Sequence, residues 1–354
     1  MTEGGLFTIL DNCLQQIELY NKNLDYEIIA LVADKSRFNY LNINYIEFPK
    51  SKKNWLFRLY YEYFYFKKLS KELNPEIWLS LHDVSPNVTC KKQFVYCHNP
   101  NMFYKPSAKD WFLEYKVGVF YLFYNFLYKI NIKKNQAVFV QQNWIKTEFE
   151  NRFKLDNVQV SKPIIEIEYS EEKIILDDSI IHFFYPSFPR TFKNFEIIFE
   201  AMNYLNKDVL EKINIHLTLD EKNANKYTNH LLKKYGNHKN IILTGILSKN
   251  QMFSYYNSID CFIFPSKLET WGLPISEAKF FNKPMFLAHL EYAKETVGDY
   301  KNVSFFDIDN PKELAQLITD FVNKNIIFNG NVAVKNEQKS LNGWFELFDY
   351  IIKS

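Results

Sequence analysis

Residues 259–277, IDCFIFPSKLETWGLPISE, constrain the fold more than any other stretch of the chain. The run Cys261–Phe264 is apolar at every position and stops at Pro265, which suits a short strand buried on both faces. Strands of that kind belong to parallel sheets, and a parallel sheet needs helical crossovers, so the chain is committed to alternating strands and helices. Pro265 and Ser266 then mark the strand's carboxyl edge, where open α/β sheets bind ligands. Gly272 lets backbone approach a ligand closely, and Pro274 suits the first turn of a helix. Such a helix aims free N–H groups and the positive end of its dipole into the crevice, which favours a phosphate or diphosphate. Glu277, in the first turn, would repel a phosphate, so its partners are hydroxyl donors such as those of a ribose. A sugar nucleotide supplies both groups. A glutamate in a first helical turn is sound dipole chemistry anywhere, and Glu277 alone needs no other explanation. Its company changes that: Glu269 precedes it with seven residues between them, behind the Phe-Pro-Ser entry and before the Gly-Leu-Pro turn.

Phe264-Pro265-Ser266, Glu269, Trp271-Gly272-Leu273-Pro274 and Glu277 together resemble the donor-binding motif of the family 4 retaining glycosyltransferases, the glycosyl transferases group 1 of GT-B fold. The resemblance covers nearly the whole chain. Residues 240–266 resemble the family's strand, glycine, turn and helix leading into the donor strand, with Gly245 at the glycine position. Asn282-Lys283-Pro284 stands where the family has Gly-x-Pro, and asparagine is the residue that best replaces glycine at positive φ. Glu295 with Val297-Gly298-Asp299 matches a further element, and residues 303–318 resemble the family's exit strand and helix.

Residues 183–202 resemble the element that places basic groups, here Arg190 and Lys193, against the donor diphosphate. As the glycosidic bond breaks, negative charge grows on the departing nucleoside diphosphate, and fixed cations with a helix amino terminus stabilise it. No metal is then required. Lys193 aligns with the family's Lys-Gly pair, with Asn194 in place of the glycine. Arg190 is equally a solvated loop charge, and both readings of it stand. Residues 91–103 resemble the strand and loop carrying the family's active-site histidine, here His98, which lies at a strand's carboxyl edge. His82 is a second candidate for the same cleft. At the amino terminus Glu3-Gly4-Gly5 and residues 7–20 resemble the family's glycine loop, which contacts donor and acceptor, and its first helix. Only Met1 and Thr2 precede them, so the first strand of the first domain is expected to be missing.

A chain of 354 residues suits two domains. The expected division is 1–165 for an acceptor-binding Rossmann-like domain, 166–338 for a Rossmann-like donor-binding domain, and 339–354 for a helix packing back toward the first. The break is set where residues 158–165 give way to an acidic stretch at 166–178. Expected strands lie at 26–32, 44–48, 77–81, 93–98 and 137–140, then 180–185, 213–219, 241–244, 260–265 and 284–287. Expected helices include 7–20, 53–73 and 341–352.

A net charge of +2 carries no signature of nucleic-acid binding. Cys13, Cys90, Cys97 and Cys261 form no C-x-x-C pair, which fits a reduced protein without a zinc site. The start of the chain lacks both the basic residues and the apolar run of a secretory signal, so a cytoplasmic location is expected. Residues 117–128, VGVFYLFYNFLY, are too few to span a bilayer, which takes roughly 20 residues. They suit a core helix. With Lys116, Lys129, Lys133 and Lys134 at the flanks they also suit an amphipathic helix on an anionic membrane, so peripheral attachment at its inner face is the second reading. Two patterns lead nowhere: Asp307-Ile308-Asp309 has D-x-D spacing but falls in a turn, and Glu171-Glu172 with Asp177-Asp178 read as a solvated acidic stretch.

The expectation is therefore a GT-B protein of two Rossmann-like domains facing a cleft, acting as a retaining, metal-independent glycosyltransferase without a cofactor. It would take a nucleotide-sugar donor and a glycan or lipid-linked acceptor, in work of the bacterial surface-polysaccharide kind. Glu277 would grip the ribose and Glu269 the donor sugar. The backbone of Gly272, Leu273, Pro274 and Ile275, with Lys193, would hold the diphosphate, and His98 would complete the sugar pocket. The alternatives are a sugar-nucleotide epimerase on the same architecture and a non-catalytic glycosyltransferase-like partner protein.

Overall fold

The computed structural model describes residues 5–52, 54–164, 173–236, 238–330 and 340–354. Gly4 and the Glu171-Glu172 pair lie outside the described residues. The chain divides into two compact units, the first made of residues 1–99, 125–164 and 338–354, the second of residues 100–124 and 165–337.

Six strands come early in the chain: β1 (Ile28–Val32), β2 (Ile43–Glu47), β3 (Ile77–Ser80), β4 (Lys92–Cys97), β5 (Ala137–Val140) and β6 (Val158–Lys162). Then follow β7 (Ile181–Tyr185), β8 (Ile213–Leu217), β9 (Ile241–Leu243), β10 (Cys261–Phe264), β11 (Met285–Ala288), β12 (Val303–Phe306) and the short β13 (Leu341–Asn342). Every strand expected from the sequence is present within two residues of its expected ends. The strand β6 lies in the residues at which the first domain was expected to end and was not among the expected strands. It is nonetheless paired on both sides, with β5 and β13.

In the first unit β3 to β6 and β13 form a parallel sheet in the order β13-β6-β5-β4-β3. Strands β1 and β2 stand apart as a two-stranded parallel sheet. The helix Gly5–Tyr20 joins the two: Cys13 packs with Phe94, Tyr96 and Phe139, Leu14 packs with Ala30, Val32 and Ile43, and Ile17 touches both groups. Gly5 already belongs to that helix rather than to a loop before it. The carboxyl-terminal helix Gly343–Lys353 lays Trp344, Leu347, Phe348 and Ile351 on Phe94 and Phe139, inside the first unit. The expected helix at 53–73 is interrupted. Asn54 caps Trp55–Tyr60, a π turn follows at Tyr61–Tyr65, and Phe66–Leu73 ends at Asn74 with φ 46°. The wider turn carries Glu62 into the interior at 5% exposure, where desolvation pushes its carboxyl up to about 7.

The second unit is one six-stranded parallel sheet in the order β12-β11-β10-β7-β8-β9. Its first three strands run outward from β7 and its last three from β10 in the opposite direction, the strand order of a Rossmann fold. Between β7 and β10 the winding reverses. Cys261, Phe262, Ile263 and Phe264 are completely buried, as expected of a central strand covered on both faces.

A buried histidine pair crosses β7 and β8. His182 Nδ1 lies 2.9 Å from His216 Nε2, and His182 Nε2 lies 3.1 Å from the carbonyl oxygen of Asp177. With His182 donating to that carbonyl, His216 Nε2–H donates to His182 and His216 Nδ1 is left buried without a partner among the described residues. Burial first, and then His182, pull the His216 pKa down to about 4 from 6.5. Between those values the unfolded chain binds the extra proton, so stability is full above about pH 6.5 and falls as pH drops toward 4, by roughly 3 kcal/mol at most. Urea midpoints measured from pH 7 to pH 4 should decline, and the decline should be shallower in His216→Phe.

Candidate active site

The reversal between β7 and β10 brings together two loops from distant parts of the sequence, and these loops carry most of the residues picked out above. After β7 the chain runs to a single turn at Thr191–Lys193 and then to the helix Phe195–Met202. Asn194 links turn and helix at φ 56°, the left-handed conformation its place in the pattern requires. The Tyr185 hydroxyl donates to the Lys193 carbonyl at 2.7 Å, and Asn194 Nδ2 donates to the Ile308 carbonyl at 2.9 Å. After β10 the Tyr292 hydroxyl donates to the Ser266 carbonyl at 2.6 Å, and the Lys267 N–H donates to the Phe192 carbonyl at 2.8 Å. That last bond ties the loops directly.

Across this junction Lys193 Nζ forms an ion pair with Glu269 Oε1, with side-chain exposures of 16% and 15%. The pair lies beside the Phe264 ring, whose centroid is 5.9 Å from Lys193 Nζ. A half-buried lysine and carboxylate at a switch point make a compact cation and anion that a polar ligand can separate.

The helix Leu273–Phe280 starts here too, with Gly272 as its N-cap at φ 80° and Pro274 in its first turn. Pro274 carries no N–H and the Ile275 N–H donates to the Gly272 carbonyl at 2.9 Å, so the anion-binding character of this turn rests on the Leu273 N–H and the positive dipole end. Glu277 is the fifth residue of the helix, beyond the first turn in which it was expected because the helix starts at Leu273; it is partly buried and accepts from the Tyr256 hydroxyl at 2.9 Å through Oε2. Desolvation raises its pKa, opposed by the Tyr256 bond. Tyr256, which is fully buried, was not picked out in the sequence, where it is one aromatic among many. A side chain built at Gly272 would meet Ile275 Cδ1 at 3.2 Å, whereas one at Gly245, φ 71°, would meet nothing within 4 Å. Gly272→Ala should therefore destabilise by more than Gly245→Ala, the second paying only the backbone cost of about 1–2 kcal/mol. Denaturant midpoints of the two variants check the order.

Gly245 itself is placed apart from the junction, at the end of β9, where its N–H donates to the Leu219 carbonyl at 3.1 Å. Arg190 is not paired with Glu269. It forms an ion pair with Glu114, whose other oxygen accepts the Thr191 N–H at 3.2 Å. Glu114 comes from residues 100–124, which belong to the second unit although they precede the expected boundary. Lys109 from the same segment pairs with Glu196 near the start of the helix Phe195–Met202. Asp307-Ile308-Asp309 forms a turn in which the Asp309 N–H donates to Asp307 Oδ1 at 2.9 Å.

His98 lies in the first unit at the carboxyl end of β4, 5% exposed, with its main-chain N–H held by Asp83. His82 is nearby in sequence after β3. Burial lowers its pKa first, and Arg58 adds to the effect, so the ring is neutral.

Known proteins supply an independent comparison. The model of the family described as glycosyl transferases group 1 matches residues 166–339, the stretch containing Arg190, Lys193, Gly245, Glu269, Gly272 and Glu277. A search of curated proteins gives no match. Among solved structures, WaaG, a glycosyltransferase involved in lipopolysaccharide biosynthesis, superposes with TM-score 0.66 at 12% identity, covering 92% of this chain and 90% of that one. Alr3699/HepE of Anabaena in complex with UDP superposes with TM-score 0.55 at 12% identity, covering 91% and 87%. TarM superposes with TM-score 0.50 at 17% identity over 68% of this chain, which spans 45% of the length of TarM. At such identities these likenesses concern the fold. The chain has the GT-B fold, with two Rossmann-like domains of mostly parallel sheet, and its residues 166–339 match the glycosyl transferases group 1.

Proposed function

We propose that this protein is a retaining glycosyltransferase that moves a sugar from a nucleoside-diphosphate donor to a glycan or lipid-linked acceptor. The observation that carries the reading is the Lys193–Glu269 pair at the β7/β10 reversal, beside the amino terminus of the helix bearing Glu277. In the reaction the bond from the sugar's anomeric carbon to the diphosphate oxygen breaks, and its electron pair leaves with the nucleoside diphosphate. The acceptor oxygen bonds to that carbon, and its proton passes to the leaving phosphate. Lys193, the Leu273 N–H and the positive dipole end of Leu273–Phe280 oppose the charge that grows on the diphosphate. Glu269 takes hydrogen bonds from the sugar hydroxyls, and Glu277 takes them from the ribose. Because lysine supplies the cation, the reaction is metal-independent, and activity should persist in EDTA. Retention follows from the resemblance to the family 4 enzymes, and a uridine nucleotide is the first donor to try because the similar HepE structure holds UDP.

The deciding experiment is calorimetric binding and turnover with a panel of UDP-, GDP- and dTDP-sugars. Binding with slow donor hydrolysis, lost on changing Glu277, supports the reading. Absence of binding to every nucleotide sinks it. A non-catalytic relative is the second reading, favoured by the separation of β1 and β2 from the larger sheet of the first unit. Nucleotide binding without transfer or hydrolysis would select it.

A lipid-linked acceptor implies contact with a membrane surface. Among the described residues no helix is long and apolar enough to cross a bilayer. The helix Tyr115–Lys129 exposes Tyr115, Val119, Leu122, Phe123 and Phe126, an apolar stripe at helical spacing flanked by Lys116, Lys129, Lys133 and Lys134. This is the pattern of a helix lying in an anionic interface. Sedimentation with phosphatidylglycerol vesicles should carry the protein down, and Leu122→Asp/Phe126→Asp should leave it in the supernatant.

A further inference from the structure

Asp83 and His98 form a buried pair in the first unit. Asp83 follows β3 and His98 follows β4, and since β3 and β4 are parallel neighbours both residues lie at the same carboxyl edge. The His98 main-chain N–H donates to Asp83 Oδ1 at 2.7 Å, and His98 Nε2 stands 3.8 Å from Asp83 Oδ2. Their side chains are 1% and 5% exposed, so this carboxylate is committed to this histidine away from water.

The surrounding turn holds Asp83 in an uncommon conformation to do so. Its φ is 69°, in the left-handed region that aspartate tolerates better than most residues. Ser80 Oγ donates to the Val84 carbonyl at 2.9 Å on one side of the turn, and Cys97 Sγ donates to the Asp83 carbonyl at 3.5 Å. Arg58 grips the His82 carbonyl at 2.7 Å. The other ring nitrogen of His98, Nδ1, is buried with no hydrogen-bond partner among the described residues. A buried polar atom left in that state is costly, and a ligand group is the natural remedy.

The protonation state follows from the two nitrogens together. A proton on Nδ1 would bury a donor without an acceptor and turn the Nε2 lone pair against the Asp83 carboxylate. A proton on both would charge a ring taken out of water, and desolvation opposes that more strongly than Asp83 favours it. A single proton on Nε2 avoids both costs. We propose that Asp83 is the positioning residue of His98: its carboxylate holds the proton on Nε2 and so presents Nδ1 as an acceptor for a hydroxyl of a sugar ligand. The sugar as ligand rests on the transferase reading above, whereas the tautomer does not.

Nitrogen-15 spectra of the full chain test the tautomer without turnover, the His98 ring being identified by its loss in His98→Gln. Expected is the Nε2–H form in the wild type, with that preference lost in Asp83→Asn. Asparagine keeps an oxygen for the His98 N–H and tolerates the same φ, so the variant should fold. In transfer assays Asp83→Asn should lower kcat by about 10-fold or more with KM within about 2-fold, the pattern of a misaligned group rather than a lost contact. An Nδ1–H ring in the wild type, or an Nε2–H ring unchanged in Asp83→Asn, overturns the proposal. An Nε2–H ring that depends on Asp83, in a protein that binds no nucleotide sugar, overturns the sugar as ligand and leaves the positioning in place.

Discussion

Lys193→Ala should lower kcat for sugar transfer by about 10²- to 10³-fold, the scale on which removal of one charge-stabilising group acts. Lys193 is positioned by backbone on both sides: its own carbonyl takes the Tyr185 hydroxyl, and the preceding carbonyl takes the Lys267 N–H. The ammonium is therefore held in place before any ligand arrives, which is the condition for electrostatic stabilisation without reorganisation. Loss of the cation also leaves Glu269 without its ion-pair partner, and a partly buried carboxylate so exposed should cost about 2 kcal/mol of stability. The two effects separate experimentally. Thermal unfolding reports the second, and single-turnover rates on folded protein report the first. Lys193→Arg keeps the charge and should recover part of the rate. Transfer by Lys193→Ala within about threefold of wild type would remove this lysine from the mechanism.

Glu277→Gln should weaken UDP binding by about 10- to 100-fold, as expected when hydrogen bonds to a charged acceptor are replaced by poorer ones. The carboxylate accepts the Tyr256 hydroxyl through Oε2. It is acceptor-only, so two further hydroxyls can be received where an amide would turn a donor toward one of them. Titration calorimetry measures the loss directly, and unchanged affinity would exclude ribose recognition by this residue. A pH dependence follows from the raised pKa of Glu277. The accepting form is the ionised one, so UDP affinity should be full well above that raised value and fall as the solution is acidified through it. Tyr256→Phe removes the bond that opposes the upward shift. It should move the loss of affinity to higher pH.

Much of the second unit was legible in the sequence because its cues are local. A four-residue apolar run ending in proline can be little other than a central parallel strand, and β10 is completely buried. Asn194 and Asn282 stand at φ 56° and 53°, where the pattern called for glycine and where asparagine pays the smaller penalty. Other features were hidden because their meaning comes from partners far away along the chain. β6 sits where the first domain was set to end and was not among the expected strands, and its two edges are taken by β5 and by β13 from the far end of the chain. Glu114 precedes Arg190 by a long stretch that belongs mainly to the first unit, so nothing near either residue announces their pairing. Tyr256 and Asp83 carry no motif. Tyr256 matters through its hydroxyl on Glu277, and Asp83 through its carboxylate on His98.

The sequence by itself determined the α/β class, the strand positions and the start of the helix that carries Glu277 further along, since hydrophobic periodicity and turn chemistry act over a few neighbouring residues. Tertiary structure decided the rest: that β7 and β10 are adjacent, so Lys193 meets Glu269; that Arg190 is engaged by Glu114; and that Asp83 underlies His98. Those pairings depend on which strands lie side by side and on the burial that makes an unpaired charge or ring nitrogen costly, and neither is written in the spacing of residues along the chain.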